Sequence, residues 1–259
     1  MPEASPSHLV LIPSYNAGAK LFETVTAARA AWSPVWVVID GSTDGTGERL
    51  QAMTLDDPGV RVLRLAHNQG KGAAILHGLR AAAQAGYSHA LTMDSDGQHP
   101  AHLIGEFMAC SLPLPGTMVL GVPQFDASAP RERILGRKIS NFWAAVETLH
   151  AGIGDVLFGF RVYPIQPLLQ VMQASRFMRR FDFDTESVVR LSWRGVPAVK
   201  LHAPVRYFRR EEGGVSHFRY GRDNALLVGM HLRLLAGFLL RLPVLLWRRL
   251  SLALKHKRS

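Results

Sequence analysis

Asp94-Ser95-Asp96-Gly97-Gln98-His99-Pro100 lies between the apolar run Ala90-Leu91-Thr92-Met93 and an amphipathic segment that starts at Ala101. The order is strand, acidic turn, helix. Residues two apart on an extended chain point the same way, so Asp94 and Asp96 present two carboxylates to one cation, and Gly97 permits the sharp exit. Two hard oxygen ligands at a turn suit Mg2+ or Mn2+ that keeps positions open for phosphate oxygens and water. Taken alone, Asp-x-Asp-Gly is more often a polar turn that caps a helix. An EF-hand fits worse, because the third alternating position is Gln98 and the closing glutamate position is Gly105. The neighbouring sequence has to decide.

Upstream, the same arrangement recurs. His8 to Pro13 reads as a strand that ends at Ser14-Tyr15-Asn16-Ala17-Gly18, and Ala19 to Trp32 reads as a helix. Val35 to Ile39 is a continuous β-branched run of the kind covered on both faces, and it stops at Asp40-Gly41-Ser42-Thr43-Asp44-Gly45. That turn opens like a calcium loop, but its twelfth position is Gln51. A third strand, Arg61 to Ala66, ends at His67-Asn68-Gln69-Gly70-Lys71-Gly72 before a helix from Ala73 to Ala85, and His89 to Met93 is the fourth. Lys71 is followed by Gly72, so this is not a Walker A loop, and Ile75 breaks the dinucleotide glycine spacing.

Strands alternating with helices predict an α/β domain with a mostly parallel sheet flanked by helices, whose ligand-binding loops share one edge. Tyr15, Asp40, Asn68, Lys71, Asp94 and Asp96 are therefore expected to be neighbours. Beyond His99, Thr117 to Val122 is a fifth strand, Asp126 to Arg133 a mobile connection of lid type or an ordinary surface excursion, and Ile134 to His150 a helix with Arg137 and Lys138 on its polar side. Asp155 to Tyr163 reads as a turn and strand carrying Arg161. Phe181 to Glu186 leads into a helix through Trp193. Gly195 to Phe208 is β-rich, and the charged, glycine-hinged loop from Arg209 to Phe218 carries basic groups suited to a diphosphate.

The last segment differs in kind. Ala225 to Leu254 is dominated by leucine, yet Arg233, Arg241, Arg248 and Lys255 recur every seven or eight residues. No uninterrupted apolar run approaches the roughly 18 residues that cross a bilayer. One or two amphipathic helices broken at Pro243 are expected, lying in the membrane interface with arginines toward lipid phosphates, the alternative being a helix packed on its own domain or on a dimer partner. This divides the chain into a domain of residues 1–221 and a tail of residues 222–259.

Composition fits that picture. The 259 residues are 47% hydrophobic, enough for a buried core, and the net charge of +10 calls for an anionic partner. One cysteine, Cys110, excludes an internal disulfide framework and fits a reducing cytoplasm. Met1 to Ser7 is polar, so no export signal is expected. Nucleic acid is disfavoured, because the positive charge is concentrated late among leucines without interleaved aromatic residues. The sequence leaves the oligomeric state open.

Together these motifs resemble the family 2 glycosyltransferases of GT-A fold, most closely the branch similar to dolichyl-phosphate mannose synthase and bacterial polyprenyl-phosphate sugar transferases, over roughly residues 8 to 220. The resemblance implies a nucleoside diphosphate sugar donor held by Pro13, Tyr15, Asn16, Asp40, Asn68, Lys71, Asp94 and Ser95, with Arg209 and His217 closing over the diphosphate. It assigns the divalent metal to Asp94 and Asp96, assisted by Gln98. Arg137, Ser140-Asn141, Asp155 with Gly159-Phe160-Arg161, and Glu186 match softer family features. Phe158 stands where a serine is expected, and Val122-Pro123 where a Ser-Arg pair is common. The implied reaction is metal-dependent, inverting transfer to a membrane lipid or lipid phosphate, by a peripheral protein on the cytoplasmic face of the membrane. Arg161, Arg206, Arg209 or His217 would share the diphosphate charge or grip an acceptor phosphate. A hydroxyl acceptor would need a carboxylate base, for which Asp184 and Glu186 are candidates. A family 2 enzyme acting on a saccharide, a nucleotidyltransferase and a basic nucleic-acid- or membrane-binding module are the alternatives.

Overall fold

The structure is a computed structural model that describes residues 2–125, 131–205 and 220–256. Its centre is a seven-stranded sheet of β1 (His8–Ser14), β2 (Val35–Asp40), β3 (Val60–Leu65), β4 (His89–Thr92), β5 (Met118–Phe125), β6 (Arg161–Pro164) and β7 (Ala198–Val205), in the order β3-β2-β1-β4-β6-β5-β7. The first four strands pair in parallel, as the alternation of strands and helices predicts. The far half is mixed, because β6 inserts antiparallel to both β4 and β5 while β5 and β7 pair in parallel.

Side-chain alternation along the strands builds two cores. Leu9 and Leu11 of β1 face one layer, and Val10 and Ile12 face the other. The first layer receives α3 (Lys71–Gln84), α6 (Ile165–Gln173), α7 (Asp182–Trp193) and α8 (Tyr220–His256) through Ile75, Leu168, Val188 and Met230. The second receives α1 (Lys20–Ala31), α2 (Thr46–Met53) and α4 (Ile104–Ser111) through Leu21, Leu50 and Phe107. Each such fully buried apolar side chain contributes about 1.5–3 kcal/mol, so both layers hold the strand ends firmly. The remaining helix, α5 (Arg131–Glu147), ends before Leu149 and His150, whose φ of 52° and 56° cannot continue it. It therefore stops short of the expected His150.

The C-terminal segment departs most from expectation. α8 is one 37-residue helix that runs through Pro243 without a break. Its stretch Gly221–Ser251 is long and apolar enough to cross a membrane by length and composition, because leucine repetition outweighs the scattered arginines. Those arginines also contact the domain, Arg233 and Arg248 half-buried and Arg241 exposed. Arg233 lies 3.8 Å over the Phe177 ring, Arg241 lies 4.9 Å over Trp193, and Arg248 Nη1 donates to the Trp193 carbonyl at 2.6 Å. A buried carboxylate on α7 explains the first of these, since Glu186 accepts from Arg233 Nη2 at 3.2 Å. Lys255 lies on α8, but its side chain is outside the described residues.

Candidate active site

The C-terminal ends of β1, β2 and β4 and the first turns of α3 and α7 converge on one cavity of about 930 Å³. Pro13, Tyr15, Asp40, Asn68, Lys71, Asp94, Ser95, Asp96, Gln98 and Asp184 all line it. Parallel pairing of β1 with β2 and β4 brings these loops together, although they are far apart in sequence.

Lys71 organises the floor. Its ammonium lies 2.7 Å from Asp94 Oδ1 and 2.7 Å from Asp184 Oδ2. Burial works against its charge, but Asp184 and Asp94 outweigh burial and hold its pKa above the ordinary lysine value. Burial likewise opposes the charge on Asp94, yet Lys71 prevails and lowers that carboxyl. At Asp184 burial dominates and raises it. Asp96 has no ion pair with a cation among the described residues; burial and the Asp94 charge push it up to about 6, and Oδ1 accepts the Gln98 N–H at 3.0 Å. These two half-buried carboxylates repel each other, and only Asp94 is ion-paired with Lys71 among the described residues. Among the described residues no third His, Cys, Asp or Glu joins them. The residues fit a hard divalent cation that takes its other ligands from water and a diphosphate, and do not fit an all-protein cage.

Around the floor, neighbouring groups fix the loops. Asp40 accepts the N–H groups of Gln69 and Gly70 at 2.8 and 2.7 Å and the Asn68 amide at 3.1 Å, so it braces the Asn68 to Gly70 loop while lining the cavity. His99 Nδ1 accepts the Asp94 N–H at 3.0 Å, and burial lowers its pKa to about 4, leaving the ring neutral with its proton on Nε2. Phe158, the departure from the family pattern, stacks edge-on against His99 at 4.9 Å and helps bury it. A Cβ on Gly159 would stand 2.9 Å from Lys71 Nζ and 3.2 Å from Asp184 Oδ1, so glycine is required for the triad to close. A Cβ on Gly72 would strike the Met178 carbonyl oxygen.

Several expected site residues lie elsewhere. Arg161 is fully buried and does not line the cavity; Nη2 donates to the Asp155 carbonyl at 3.0 Å and Nη1 to the Asp184 carbonyl and the Tyr163 hydroxyl, so it ties β6 to α7. Glu186 is also fully buried off the cavity, with Oε1 bound by Arg190 at 2.7 Å and Oε2 by Arg233. It lies one helical turn from Asp182, and Arg233 of α8 reaches both, at 3.2 Å and 3.8 Å, so it faces α8 rather than the floor. Asn16 clasps the second acidic turn, since Oδ1 accepts the Thr43 N–H at 2.8 Å and its own N–H donates to Ser42 Oγ at 3.0 Å. Arg206, Arg209, His217 and the Asp126 to Pro130 part of the lid-type connection lie outside the described residues.

The sequence reading missed the other end of the cavity. Ile139 and Trp143 of α5 and Leu227, Leu232 and Leu235 of α8 give the same cavity an apolar wall, with Ser140 among them. Arg137, also in the lining, is held by Asp155 Oδ1 at 2.7 Å. The missed signal was positional: these residues repeat at helical spacing, a pattern equally expected of a core helix.

A protein-family model for glycosyl transferase family 2 matches residues 9–149, and the chain belongs to that family. It is therefore a glycosyltransferase, and its fold is GT-A. It is 27% identical over 212 residues to polyprenol monophosphomannose synthase of Mycolicibacterium smegmatis, covering 79% of this chain and 78% of that one. It is 26% identical over 219 residues to undecaprenyl-phosphate mannosyltransferase of Micrococcus luteus, covering 79% and 85%. In three dimensions it is similar to glucosyl-3-phosphoglycerate synthase of Mycobacterium tuberculosis, crystallised with Mn2+, uridine-diphosphate-glucose and phosphoglyceric acid. That match has a TM-score of 0.63 and 17% identity, and covers 90% of this chain and 79% of that one, a likeness of fold.

Proposed function

We propose that the protein transfers a sugar from a nucleoside diphosphate sugar to a polyprenyl phosphate at a membrane surface, inverting the anomeric centre. The observation that carries this reading is the continuity of one cavity from the carboxylate and lysine floor to the apolar wall between α5 and α8. The names of the two curated relatives support the acceptor. Asp94 and Asp96, with Gln98 beside them, are the groups that would hold Mg2+ or Mn2+. When bound, the metal supplies neutralisation of the charge that builds on the departing diphosphate.

The chain's own residues do the rest. The Asn68 to Gly70 loop, braced by Asp40, and the Pro13 to Tyr15 turn enclose the nucleoside side of the cavity. Lys71 fixes Asp94 and Asp184 in one arrangement before substrate arrives, so no reorganisation is needed during transfer. A bond forms between a phosphate oxygen of the acceptor and the anomeric carbon on the face opposite the breaking bond to the diphosphate. That oxygen is already anionic, so no base is required. Arg137 and Ser140 are polar groups of the same lining that the acceptor would pass on its way to the floor. Transfer to a hydroxyl is the second reading, favoured by the raised pKa of cavity-lining Asp184.

The outer faces of α5 and α8 fit the membrane. Phe142 and Leu135 on α5 and Leu240 and Trp247 on α8 are exposed, Leu240 at 83%, a patch of the kind that marks an interaction surface. Because Arg233, Arg241 and Arg248 bind α8 to α7, the helix is read as lying along the domain with its apolar side in the bilayer interface, on the cytoplasmic side, rather than crossing it.

The test is to incubate the purified full chain with UDP- and GDP-sugars and a short polyprenyl phosphate in vesicles, with and without chelator. A glycosylated lipid phosphate formed only with metal is expected. Turnover unchanged by chelator and by Asp96→Asn would overturn the metal-dependent part, and product on an alcohol but never on the phosphate would overturn the acceptor.

A further inference from the structure

The cavity contains a pair of titratable groups that the reaction described above does not use. His231 of α8 lines the apolar end, and its Nδ1 lies 2.9 Å from Oε1 of Glu147, the last residue of α5. Glu147 is fully buried, and burial raises its pKa against the opposing effect of its hydrogen bond with His231. Its backbone is fixed as well, because the Trp193 indole N–H donates to the Glu147 carbonyl at 2.7 Å. The other ring nitrogen, His231 Nε2, is buried and has no hydrogen-bond partner among the described residues.

An acid held in an apolar interior is costly unless a partner compensates it. A carboxylate fixing one imidazole nitrogen also leaves the second nitrogen with a defined direction, the arrangement that orients histidines toward a ligand. The flanking wall offers little to a polar sugar, since Leu227, Leu232, Leu235 and Trp143 are apolar. The same lining also carries Arg137, Ser140, Arg222 and Asn224, so Nε2 is an enclosed, unpartnered polar atom in a mixed polar and apolar lining, which suits a ligand with one charged group at the end of a hydrocarbon chain. With the Glu147 carboxyl raised by burial and donating its proton to Nδ1, the ring N–H lies on Nε2, and an anion there accepts a charge-assisted hydrogen bond.

We propose that the Glu147–His231 pair is an acceptor subsite, in which His231 Nε2 donates to a phosphate-monoester oxygen of the lipid and Glu147 acts as the positioning residue behind it. The inference rests on the polyprenyl-phosphate reading and adds a residue that selects phosphate over alcohol. It also gives α8 a part in substrate choice, beyond any role at the membrane.

The experiment is calorimetric titration of the full chain in detergent with farnesyl phosphate, farnesol, inorganic phosphate and a nucleoside diphosphate. Wild-type protein should prefer farnesyl phosphate to farnesol by at least about tenfold, and His231→Ala should lose about tenfold in farnesyl phosphate affinity, the loss of one charge-assisted bond. Farnesol and nucleoside diphosphate should bind the variant as they bind wild type, which a general structural defect would not allow. His231→Gln should retain part of the preference, and Glu147→Gln should lie between Ala and wild type if it folds. A His231→Ala protein that keeps the full preference, while wild type still glycosylates polyprenyl phosphate, overturns the subsite alone. Inorganic phosphate binding as tightly as farnesyl phosphate would assign the pair to free phosphate and overturn the lipid assignment. Wild type with no preference for farnesyl phosphate over farnesol would defeat the acceptor reading itself.

Discussion

The two ends of the cavity are built by different means. The polar end comes from short loops at strand ends, where Asp40, Lys71, Asp94 and Asp96 are set by the sheet and by bonds such as that of Asp40 to the Gln69 and Gly70 N–H groups. The apolar end comes from the sides of two helices, α5 and α8, joined by the Glu147–His231 bond and by burial of Met230 and Leu234. A loop at a sheet edge is fixed by a few local residues, so its chemistry can be read as a motif. A wall between helices depends on which faces meet, and that is decided by the whole fold.

The contrast can be attacked from its polar side first. Asp94→Asn removes a donor from the cation cradle and one partner of Lys71, and transfer should fall by about a thousandfold or more, measured as product per time at saturating donor. A variant within tenfold of wild type would mean that the loop motif is structural. Lys71→Met leaves Asp94 and Asp184 buried without their cation. It should cost about 3–5 kcal/mol in unfolding free energy, read by urea denaturation, and should depress activity together with stability.

Next in size is the junction between the halves. Arg233→Ala takes one of two partners from buried Glu186 and the cation from the Phe177 ring. A loss of about 2 kcal/mol is expected, lowering the thermal midpoint by roughly 4–8 °C. Little change would show that α8 is not held to α7 as its geometry indicates. The pH dependence sharpens the polar side further. Asp96 is pushed up to about 6, so protons compete with a cation below that value and not above it. The Mn2+ concentration for half-maximal activity should be flat above pH 6 and rise about tenfold per unit below it. The smallest effect is expected at the outer face, where Leu240→Gln with Trp247→Gln should weaken vesicle sedimentation several-fold and leave the thermal midpoint unchanged within about 1–2 °C.

How far the sequence reached follows the same division. β1 to β4 and the loops after them were legible because apolar runs alternate with glycine- and acid-rich turns, and parallel connection puts those turns on one edge. The placement of β6 between β4 and β5 was not, since a four-residue strand carries no signal of its neighbours or direction. Glu186 and Asp184 are two residues apart on one helix, and only packing against α8 shows that Asp184 meets Lys71 while Glu186 meets Arg233. The arginine spacing in α8 was visible, but a charged stripe on a leucine-rich helix fits lipid phosphates and buried carboxylates equally well. His231 and Glu147 carried no motif at all, being 84 residues apart.

The central claim is that Asp94 and Asp96 hold the metal and diphosphate of a nucleotide sugar inside the same cavity that ends between α5 and α8. A crystal structure of the protein soaked with Mn2+ and a nucleoside diphosphate, phased to show anomalous scattering, tests it most directly. The account predicts a manganese peak shared by the Asp94 and Asp96 carboxylates and a diphosphate oxygen, with the nucleoside against Pro13, Tyr15 and Asp40. A peak on other residues, or a nucleotide bound outside the cavity, would contradict it.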